Sequence, residues 1–537
     1  MESEATNRTS EQPPSVQERR SPSIWLSLSG GGFRAAIFHF GCLKRLHEIG
    51  LLGHVYAISA TSGGALIAGL LNRYAQYPEI DPESRRYVLD YKWEDFERAF
   101  LELAHRGVLG PVAIQVIAYA FTLLAWCGVS CGLYGLGKTA IELGFLSLVM
   151  AIACFSGLAI YLLRERVQEP SEEAQRWAKL SSSFAVAEWN KRSWRRFFDM
   201  LLRPAFLRRQ LLNIRAFKGR LLSGMNHRPQ TFMNSVNLNN GEQTVFTTGV
   251  VTTLDSKGSS ELWECRADRP SSRSGEIDIA QAVAASSAYP PFFSPVQVAT
   301  RERFFGSFVD GGVVDNFAMN VPRAFSVHIH SARGQRYDGG WGSIGSFKSR
   351  TSRIMAIDGS AAIDVKLRPI WLRLPTALRI LDIVGNQQSE DAETAGWNFS
   401  RNLGIPFAMV TLRWGFPFGS KFHDDKINRY VSKVRTHFDS FSYEEIATVA
   451  YCGYLWAEEL VKEHPTLMLY SGVAKQRLTC FEEMLPDYCG RWETNASRLR
   501  SHLKFSGQRL KAARWIGRRF LRIFARSSVE RPSVQVP

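Results

Sequence analysis

Several hallmarks of common protein classes are missing from this sequence of 537 residues. Its eight cysteines are scattered and form no close Cys-x-x-Cys pair, which excludes a zinc ribbon, a thiol redox motif and a disulfide framework. We expect reduced, mostly buried thiols instead. Residues 1–22 lack the apolar core of a signal peptide, so we expect the bulk of the chain in the cytoplasm. The Pro-, Ser- and Glu-rich composition of these residues predicts a disordered leader.

Acidic residues are too few to balance the basic ones. The 66 Lys and Arg residues exceed the 50 Asp and Glu residues by 16, which predicts an anionic partner, either nucleic acid or a lipid surface. Twenty of the basic residues lie in two aromatic-rich segments, 191–220 and 498–526, which together contain one acid. We expect both segments at the headgroups of an anionic bilayer. A solvated basic face for the first and a partner-protein groove for the second are the alternatives.

A long stretch of the chain has no charged residue at all. Between Gly107 and Gly137 there is no Asp, Glu, Lys or Arg, and residues 143–163 form a second uncharged run. Residues 112–134 and 143–163 are each long enough to cross a bilayer core, and the basic flanks would hold both ends on the cytoplasmic side. This pattern predicts an integral membrane protein with a two-span hairpin. A hydrophobic helical pair inside a soluble core is the alternative.

Two successive strand–turn–helix units begin the globular part. Ile24–Leu28 has strand composition and is followed by three glycines and a helical pattern from Ala35 to Ile49. The second unit has a strand over 55–58 and a helix from Ala65 to about Tyr74. These units predict a parallel sheet covered by helices, that is, a three-layer α/β fold. Further strand-like runs, with a hairpin signal at 239–241, are residues 231–236, 244–251, 305–309, 326–330 and 354–357.

Two glycine-containing turns stand at the starts of the two helices. In the first, Ser29-Gly30-Gly31-Gly32-Phe33-Arg34, unpaired backbone N–H groups at a helix start form an anion cradle. A structural or phosphate-binding turn is the alternative, although no Gly-Lys-Ser/Thr of a P-loop follows. The second turn, Ala60-Thr61-Ser62-Gly63-Gly64, is close to the Gly-x-Ser-x-Gly nucleophile elbow, with Ala60 in place of the first glycine. A helix N-cap serine is the alternative reading of Ser62.

A third segment supplies a carboxylate. Asp310-Gly311-Gly312 follows a strand-like run, and an aspartate at a strand end can take the proton of a nearby hydroxyl. A plain turn aspartate is the alternative when this segment is considered alone.

Taken in this order, the three segments resemble the patatin-like phospholipase family. Residues 40–41, 50–52 and 284–293 add to the resemblance. It implies that Ser62 is the nucleophile, that Asp310 is the general base without a histidine, and that Gly30, Gly31, Gly32, Phe33 and Arg34 form the oxyanion hole. It also implies that Gly63, Gly64, Gly311 and Gly312 shape the elbow and the aspartate loop. Ala35 and Ala60 stand where the family commonly has glycine.

The function implied by this resemblance is a membrane-associated lipolytic hydrolase that releases fatty acids from lipids through an acyl-enzyme. Neither a cofactor nor a metal is expected, and membrane lipids, not nucleic acid, are the expected partner. A catalytically silent membrane scaffold or lipid-binding protein with the same fold is the alternative. A Ser-His-Asp triad is less favoured because His39, His47 and His54 have no triad context. A metal site at His328 and His330 is also disfavoured, because no carboxylate or cysteine stands at ligand spacing beside them.

The predicted organisation divides the chain into six parts. They are a leader, 1–22; the first part of the patatin-like domain, 23–105; the hairpin insertion, 106–166; a basic-aromatic juxtamembrane segment, 167–228; the rest of the domain, 229–490; and a basic amphipathic helix and tail, 491–537.

Overall fold

A computed structural model describes residues 23–108, 208–323, 351–360 and 387–467, with gaps within the longer ranges. The predicted leader, most of segment 191–220, all of segment 498–526 and the strand-like run 326–330 lie outside the described residues. Phe217, one of the aromatic residues of segment 191–220, is fully buried against the core.

Twelve strands are assigned in the described chain, and ten of them form one mixed sheet. In chain order they are β1 Ile24–Leu28, β2 Val55–Thr61, β3 Glu79–Asp81, β4 Arg86–Val88, β5 Gln230–Asn237, β6 Gln243–Thr247, β7 Val250–Leu254, β8 Leu262–Glu264, β9 Val296–Ala299, β10 Phe304–Asp310, β11 Arg353–Asp358 and β12 Phe407–Thr411. β3 and β4 form a separate antiparallel pair.

The sheet has a parallel half and an antiparallel half. Strands β12, β11, β1, β2 and β5 lie side by side in that order and are all parallel. β6, β7 and β8 continue from β5 as antiparallel neighbours. The five parallel strands therefore end at one edge of the sheet, which we call the carboxyl edge.

Strand β5 pairs with two strands on the same side. Its first part, Gln230–Asn234, pairs with β2, and its last part, from Ser235 onward, pairs with β10. Thr61 at the end of β2 faces Asn234, and Asp310 at the end of β10 faces the next residue, Ser235. β2 and β10 therefore meet end to end along β5, which brings the residues that follow β2 next to Asp310.

Five α-helices whose bounds lie within the described residues accompany the sheet: α1 Gly32–Glu48, α2 Gly63–Tyr74, α3 Trp93–Arg106, α4 Ile279–Ser287 and α5 Tyr443–Glu463. Local chemistry sets several of their ends. Asp278 caps α4 by accepting the N–H of Gln281. Gly50, with φ 77°, takes up the left-handed conformation that closes the turn after α1. The predicted helix over 35–49 and its closing glycine are confirmed, although α1 begins three residues earlier, at Gly32.

Alternate side chains along the strands pack into two hydrophobic cores, one on each face of the sheet. Ile24, Leu26 and Leu28 of β1 join the larger core, which also receives the apolar faces of the helices. Trp25 points to the opposite face, where it stacks on Phe232 with ring centroids 5.4 Å apart. This period of two is the pattern expected of a sheet that is covered on both faces.

Helices α1 and α5 approach each other at the level of the backbone. A Cβ at Gly41 would lie 1.8 Å from the carbonyl oxygen of Ala450, and one at Gly453 would lie 2.2 Å from that of Phe38. Only glycine fits at either position, so these two residues set the distance between the helices and hold α1 in place.

The expectation of a parallel sheet is correct for only half of the sheet. β1, β2 and β11 were predicted from sequence and are parallel, whereas the strands from β6 to β10 are antiparallel to their neighbours. The predicted run 244–251 is two strands, β6 and β7, which pair with each other. The hairpin signal at 239–241 is confirmed, because it joins β5 to β6 with Gly241 at φ 76°.

The predicted fold class is wrong in including a transmembrane hairpin. Within the described ranges, no helix is both long enough and apolar enough to cross a membrane. α1, α2, α3 and α4 are shorter than the roughly 20 residues that a span needs. α5 has 21 residues but carries several glutamates, whose charges would be desolvated in hydrocarbon. The proposed spans, 112–134 and 143–163, lie outside the described residues. The fold is accordingly a mixed α/β sheet-and-helix fold.

Candidate active site

Ser62 sits at a sharp turn between β2 and α2. Its φ is 53° and its ψ is −118°, a conformation that costs a non-glycine residue about 1–3 kcal/mol. Neighbouring hydrogen bonds hold it there. The Ser62 N–H donates to Ser286 Oγ at 3.0 Å, and its carbonyl accepts from Ser287 Oγ at 3.2 Å. Both serines belong to α4, so the end of that helix fixes the strained elbow.

The two glycines after Ser62 allow close approach of the backbone. A Cβ at Gly63 would lie 1.9 Å from the carbonyl oxygen of Gly32, and one at Gly64 would lie 2.5 Å from that of Leu28. Any larger residue would push the start of α2 away from the glycine-rich turn. The sequence Ser62-Gly63-Gly64 therefore folds the elbow against the start of α1.

Asp310 lies beside the Ser62 side chain, which is one of the groups that lower its pKa. The Gly312 N–H donates to Asp310 Oδ1 at 2.7 Å. Burial raises the pKa of Asp310 to about 7, while the hydrogen bonds from Ser62 and Gly312 act in the opposite direction. A carboxylate with a pKa near neutrality is well matched to accepting and returning a proton.

Gly311 lets the Asp310 loop fit onto β5. A Cβ at Gly311 would lie 2.5 Å from the carbonyl oxygen of Asn234, which is the β5 residue that pairs with Thr61. A Cβ at Gly312 would lie 3.0 Å from both Asp310 Oδ1 and Asn316 Oδ1. The first glycine is thus needed for packing, and the second keeps space around the carboxylate.

The glycine-rich turn presents backbone N–H groups beside Ser62. Gly31 and Gly32 have φ values of 127° and 63°, and the first intrahelical bond of α1 runs from Ala35 N–H to the Gly31 carbonyl at 3.4 Å. The N–H groups of Gly32 and Arg34 consequently have no acceptor one turn back in the helix. A Cβ at Gly30 would lie 3.4 Å from Ser62 Cβ, which places this turn against the nucleophile elbow.

Two members of the predicted oxyanion set are engaged elsewhere. The Gly30 N–H donates to the Asn316 carbonyl at 2.8 Å. The Arg34 guanidinium is buried and donates to the carbonyls of Ser432, Val434 and Gly359 at 3.1, 3.0 and 3.3 Å. Burial lowers the pKa of Arg34 to about 10, so it stays cationic at neutral pH. Its side chain ties the glycine-rich turn to the segments around Gly359 and 432–436.

Both alanines that replace expected glycines fit their surroundings. Gly359 lies directly against Ala35, because a Cβ on Gly359 would be 2.5 Å from Ala35 Cβ. The space that a second side chain would fill is therefore left to the Ala35 methyl group. Ala60 is fully buried in β2, in register with Leu28 and Met233. Neither substitution disturbs the turn that it belongs to.

Comparison with known proteins assigns the family. The family model described as Patatin-like phospholipase matches residues 26–322, more than half of the chain. The chain belongs to the patatin-like phospholipase family. Membership supports lipid ester hydrolysis as its class of activity.

Comparison with solved structures and curated proteins adds less. The crystal structure of VipD from Legionella pneumophila is similar to this chain at 13% sequence identity and a TM-score of 0.31, over 83% of this chain and 67% of that one. No curated protein matches the sequence.

The buried carboxylate of Asp315, which the sequence analysis did not single out, helps to hold the site in place. Asp315 accepts hydrogen bonds from the N–H groups of Met319 and Asn320 at 3.1 and 2.8 Å. Its own carbonyl accepts from Thr61 Oγ1 at 3.0 Å, which connects it to the residue before Ser62. Asp315 therefore joins the loop after Asp310 to the end of β2. The sequence feature that could have identified Asp315 is its position in the apolar run after Asp-Gly-Gly. An acid in such a run is expected to be buried, and a buried carboxylate needs hydrogen-bond donors.

The described histidines that were considered for a catalytic triad have other surroundings. His54 precedes β2 and Ser62 follows it, so the seven-residue strand holds them roughly 20 Å apart. The buried His39 donates through Nε2 to the Ile357 carbonyl at 3.0 Å, and burial lowers its pKa to about 4, which keeps it neutral. His47 stacks on Trp93. His328 and His330 lie outside the described residues. The described part of the chain contains no cluster of three or more metal-ligating side chains.

Proposed function

We propose that this chain is a membrane-associated acyl hydrolase that releases fatty acids from lipids through Ser62, Asp310 and an acyl-enzyme. One observation carries the proposal. The Ser62 side chain lies at a strained elbow against the buried Asp310 carboxylate, beside the start of α1. A nucleophile, a base and candidate oxyanion donors thus lie together.

The proposed reaction begins with transfer of the Ser62 proton to Asp310 as Oγ attacks the ester carbonyl carbon. The N–H groups of Gly31, Gly32 and Phe33 would stabilise the resulting oxyanion. Collapse of the tetrahedral intermediate breaks the ester bond, and the leaving alkoxide takes the proton from Asp310. Asp310 then accepts a proton from water, whose oxygen attacks the acyl-enzyme. The fatty acid leaves and the proton returns to Ser62 Oγ.

An anionic lipid surface is the proposed location of the substrate. The sequence carries 16 more basic than acidic residues, and the excess is concentrated in segments 191–220 and 498–526. Each basic residue close to an anionic membrane contributes roughly 1 kcal/mol of attraction. The remainder of the chain has nearly balanced charge, with 46 basic and 49 acidic residues. Attraction to such a surface would therefore act through these segments.

The experiment that tests the dyad combines labelling with turnover. A fluorophosphonate probe is expected to label the full-length protein, and the protein is expected to release fatty acid from phospholipid vesicles. Ser62→Ala should abolish both signals, and Asp310→Asn should reduce turnover by about 10³-fold or more, because it removes the base.

Ser307→Ala serves as the matched control, because Ser307 lies on the same strand as Asp310 but three residues away. It should keep both signals. Turnover that survives in Ser62→Ala and in Asp310→Asn would refute the mechanism. Folded wild-type protein that neither reacts with the probe nor releases fatty acid would favour the silent-scaffold alternative.

A further inference from the structure

Exposed apolar side chains are concentrated at the edge of the sheet that carries Ser62. The described part of the chain has six large hydrophobic residues that are strongly exposed, and five of them lie at or beyond the carboxyl edge. We call these five the apolar rim. They are between 41% and 81% exposed: Leu238, Phe304, Val314, Trp414 and Phe418.

The topology places each rim residue. Leu238 directly follows β5, and Trp414 lies in the 3-10 turn that directly follows β12, with Phe418 on the same loop. Both strands belong to the parallel set, so both loops leave the carboxyl edge. Phe304 is the first residue of β10. β10 starts beyond the carboxyl end of β5 and runs antiparallel to it towards Asp310, so Phe304 lies beyond the carboxyl edge. Val314 follows Asp310 by four residues.

The rim lies on both sides of Ser62. β12 is separated from β5 by β11, β1 and β2, which at the usual strand spacing is about 19 Å. Ser62 follows β2 and therefore lies between the Trp414 and Leu238 sides of the rim. A flat apolar partner resting on both sides would cover the entrance to Ser62.

The uncharged sequence that starts at Gly107 joins the described fold at this same edge. The Phe441 N–H donates to the carbonyl of Ala104, in the last turn of α3, at 3.0 Å. The ring centroids of Phe441 and Phe33 lie 6.0 Å apart. Phe33 is in the first turn of α1, next to Ser62. α3 therefore ends beside the glycine-rich turn, and the uncharged sequence begins there.

We propose that the apolar rim is the face by which this protein docks on a lipid bilayer. The inference rests on the proposed function, because it takes a lipid surface to be the source of substrate. The excess of 16 positive charges matches an anionic surface, and the rim adds the apolar contact that charge alone does not supply. Large apolar side chains that stay exposed on one face mark such an interaction surface.

The test measures binding of full-length Ser62→Ala protein to phosphatidylglycerol–phosphatidylcholine vesicles by co-sedimentation. Using the Ser62→Ala background keeps the vesicle composition constant, because no fatty acid is released. The variant pair Trp414→Ser, Phe418→Ser should lower the partition coefficient by at least about tenfold, since two aromatic side chains no longer leave water. The loss should persist at high salt, where attraction to headgroups is screened.

Trp397→Ser is the matched control. Trp397 is the sixth exposed residue, with 47% exposure, and its ring packs against Phe407 at the opposite end of β12. This variant also removes a tryptophan side chain, but from the opposite edge of the sheet. Vesicle binding should therefore change by less than about twofold. Circular dichroism and thermal midpoints confirm that each variant is folded.

The outcomes separate this inference from the proposed function. If the rim pair binds vesicles as well as Trp397→Ser does, the docking face is wrong, even when wild-type protein releases fatty acid. If the rim pair loses binding but the wild type releases none, the docking face stands and the hydrolase proposal fails. A rim pair that changes only self-association, measured by sedimentation velocity, would show that the rim binds a second copy of the chain and would overturn lipid docking.

Discussion

At the scale of single residues, one carboxylate does two opposing things. Asp310 must be ionised to accept the Ser62 proton, yet its burial favours the neutral form and raises its pKa to about 7. Hydrogen bonds from Ser62 and Gly312 recover part of the cost of charging it. The residue is thus held close to the point at which both protonation states are populated.

This balance predicts the pH dependence of turnover. Activity requires ionised Asp310, so kcat/KM should rise with pH and level off above its pKa, with an acid limb centred at about 7. A soluble ester and a fixed ionic strength keep membrane binding out of the measurement. An acid limb centred near the ordinary value of a free aspartate would show that Asp310 is not the group being titrated.

At the scale of elements, the site depends on how three pieces of backbone meet. β2 and β10 end against each other along β5, α1 starts beside that junction, and α5 packs on α1 through Gly41 and Gly453. The position of the oxyanion turn is therefore linked to a helix–helix contact more than two turns further along α1.

Widening this contact should destabilise the protein and disturb the site. Gly41→Ala puts a methyl group 1.8 Å from the Ala450 carbonyl, so we expect unfolding free energy to fall by about 1–3 kcal/mol, even though Ala favours helix more than Gly. Urea denaturation measures the loss, and kcat should fall with it as α1 shifts. Gly224→Ala is the control, because nothing lies within 4 Å of its added Cβ. Equal stability of the two variants would contradict this role for Gly41.

The elements also show which features local sequence can predict. Strand β1, the glycine turn and α1 are contiguous, and their apolar period and closing glycine mark them clearly. The meeting of β2 with β10 joins residues about 250 positions apart through β5, and no local period encodes such a pairing. The family resemblance, not periodicity, paired Ser62 with Asp310. The Asp315 support and the Gly359 space beside Ala35 depend on tertiary contacts in the same way.

At the scale of the whole molecule, an apolar stretch of sequence can form a membrane span or part of a protein core. The uncharged runs predict membrane spans because length and the absence of charge are the usual criteria. Those criteria do not separate a span from other apolar uses, and among the described helices none meets them. Charge placement is similarly informative only together with the fold, since Phe217 of the basic segment is part of the core.

The stability of the whole molecule should carry the signature of the Asp310 site. Because folding raises the pKa of Asp310 above its ordinary value of 3.8, the folded state binds the proton more tightly than the unfolded state does. Its contribution favours folding most at acid pH and declines as pH rises from about 4 to about 7. Asp310→Asn removes this dependence while keeping an acceptor for the Gly312 N–H.

The asparagine variant should therefore be more stable than wild type at about pH 8.5, on the order of 1–4 kcal/mol, and nearly equal at about pH 3, below the ordinary pKa of aspartate. Urea denaturation of both proteins at each pH gives the double difference, which cancels every other titrating group. Asp95→Asn, which changes an exposed carboxylate on α3, controls for the general effect of removing one negative charge. A stability gain that is the same at both pH values would mean that Asp310 does not carry a raised pKa in the folded protein. Greater stability in a variant that has lost turnover would instead show that the fold tolerates Asp310 at a cost, because the reaction needs its charge.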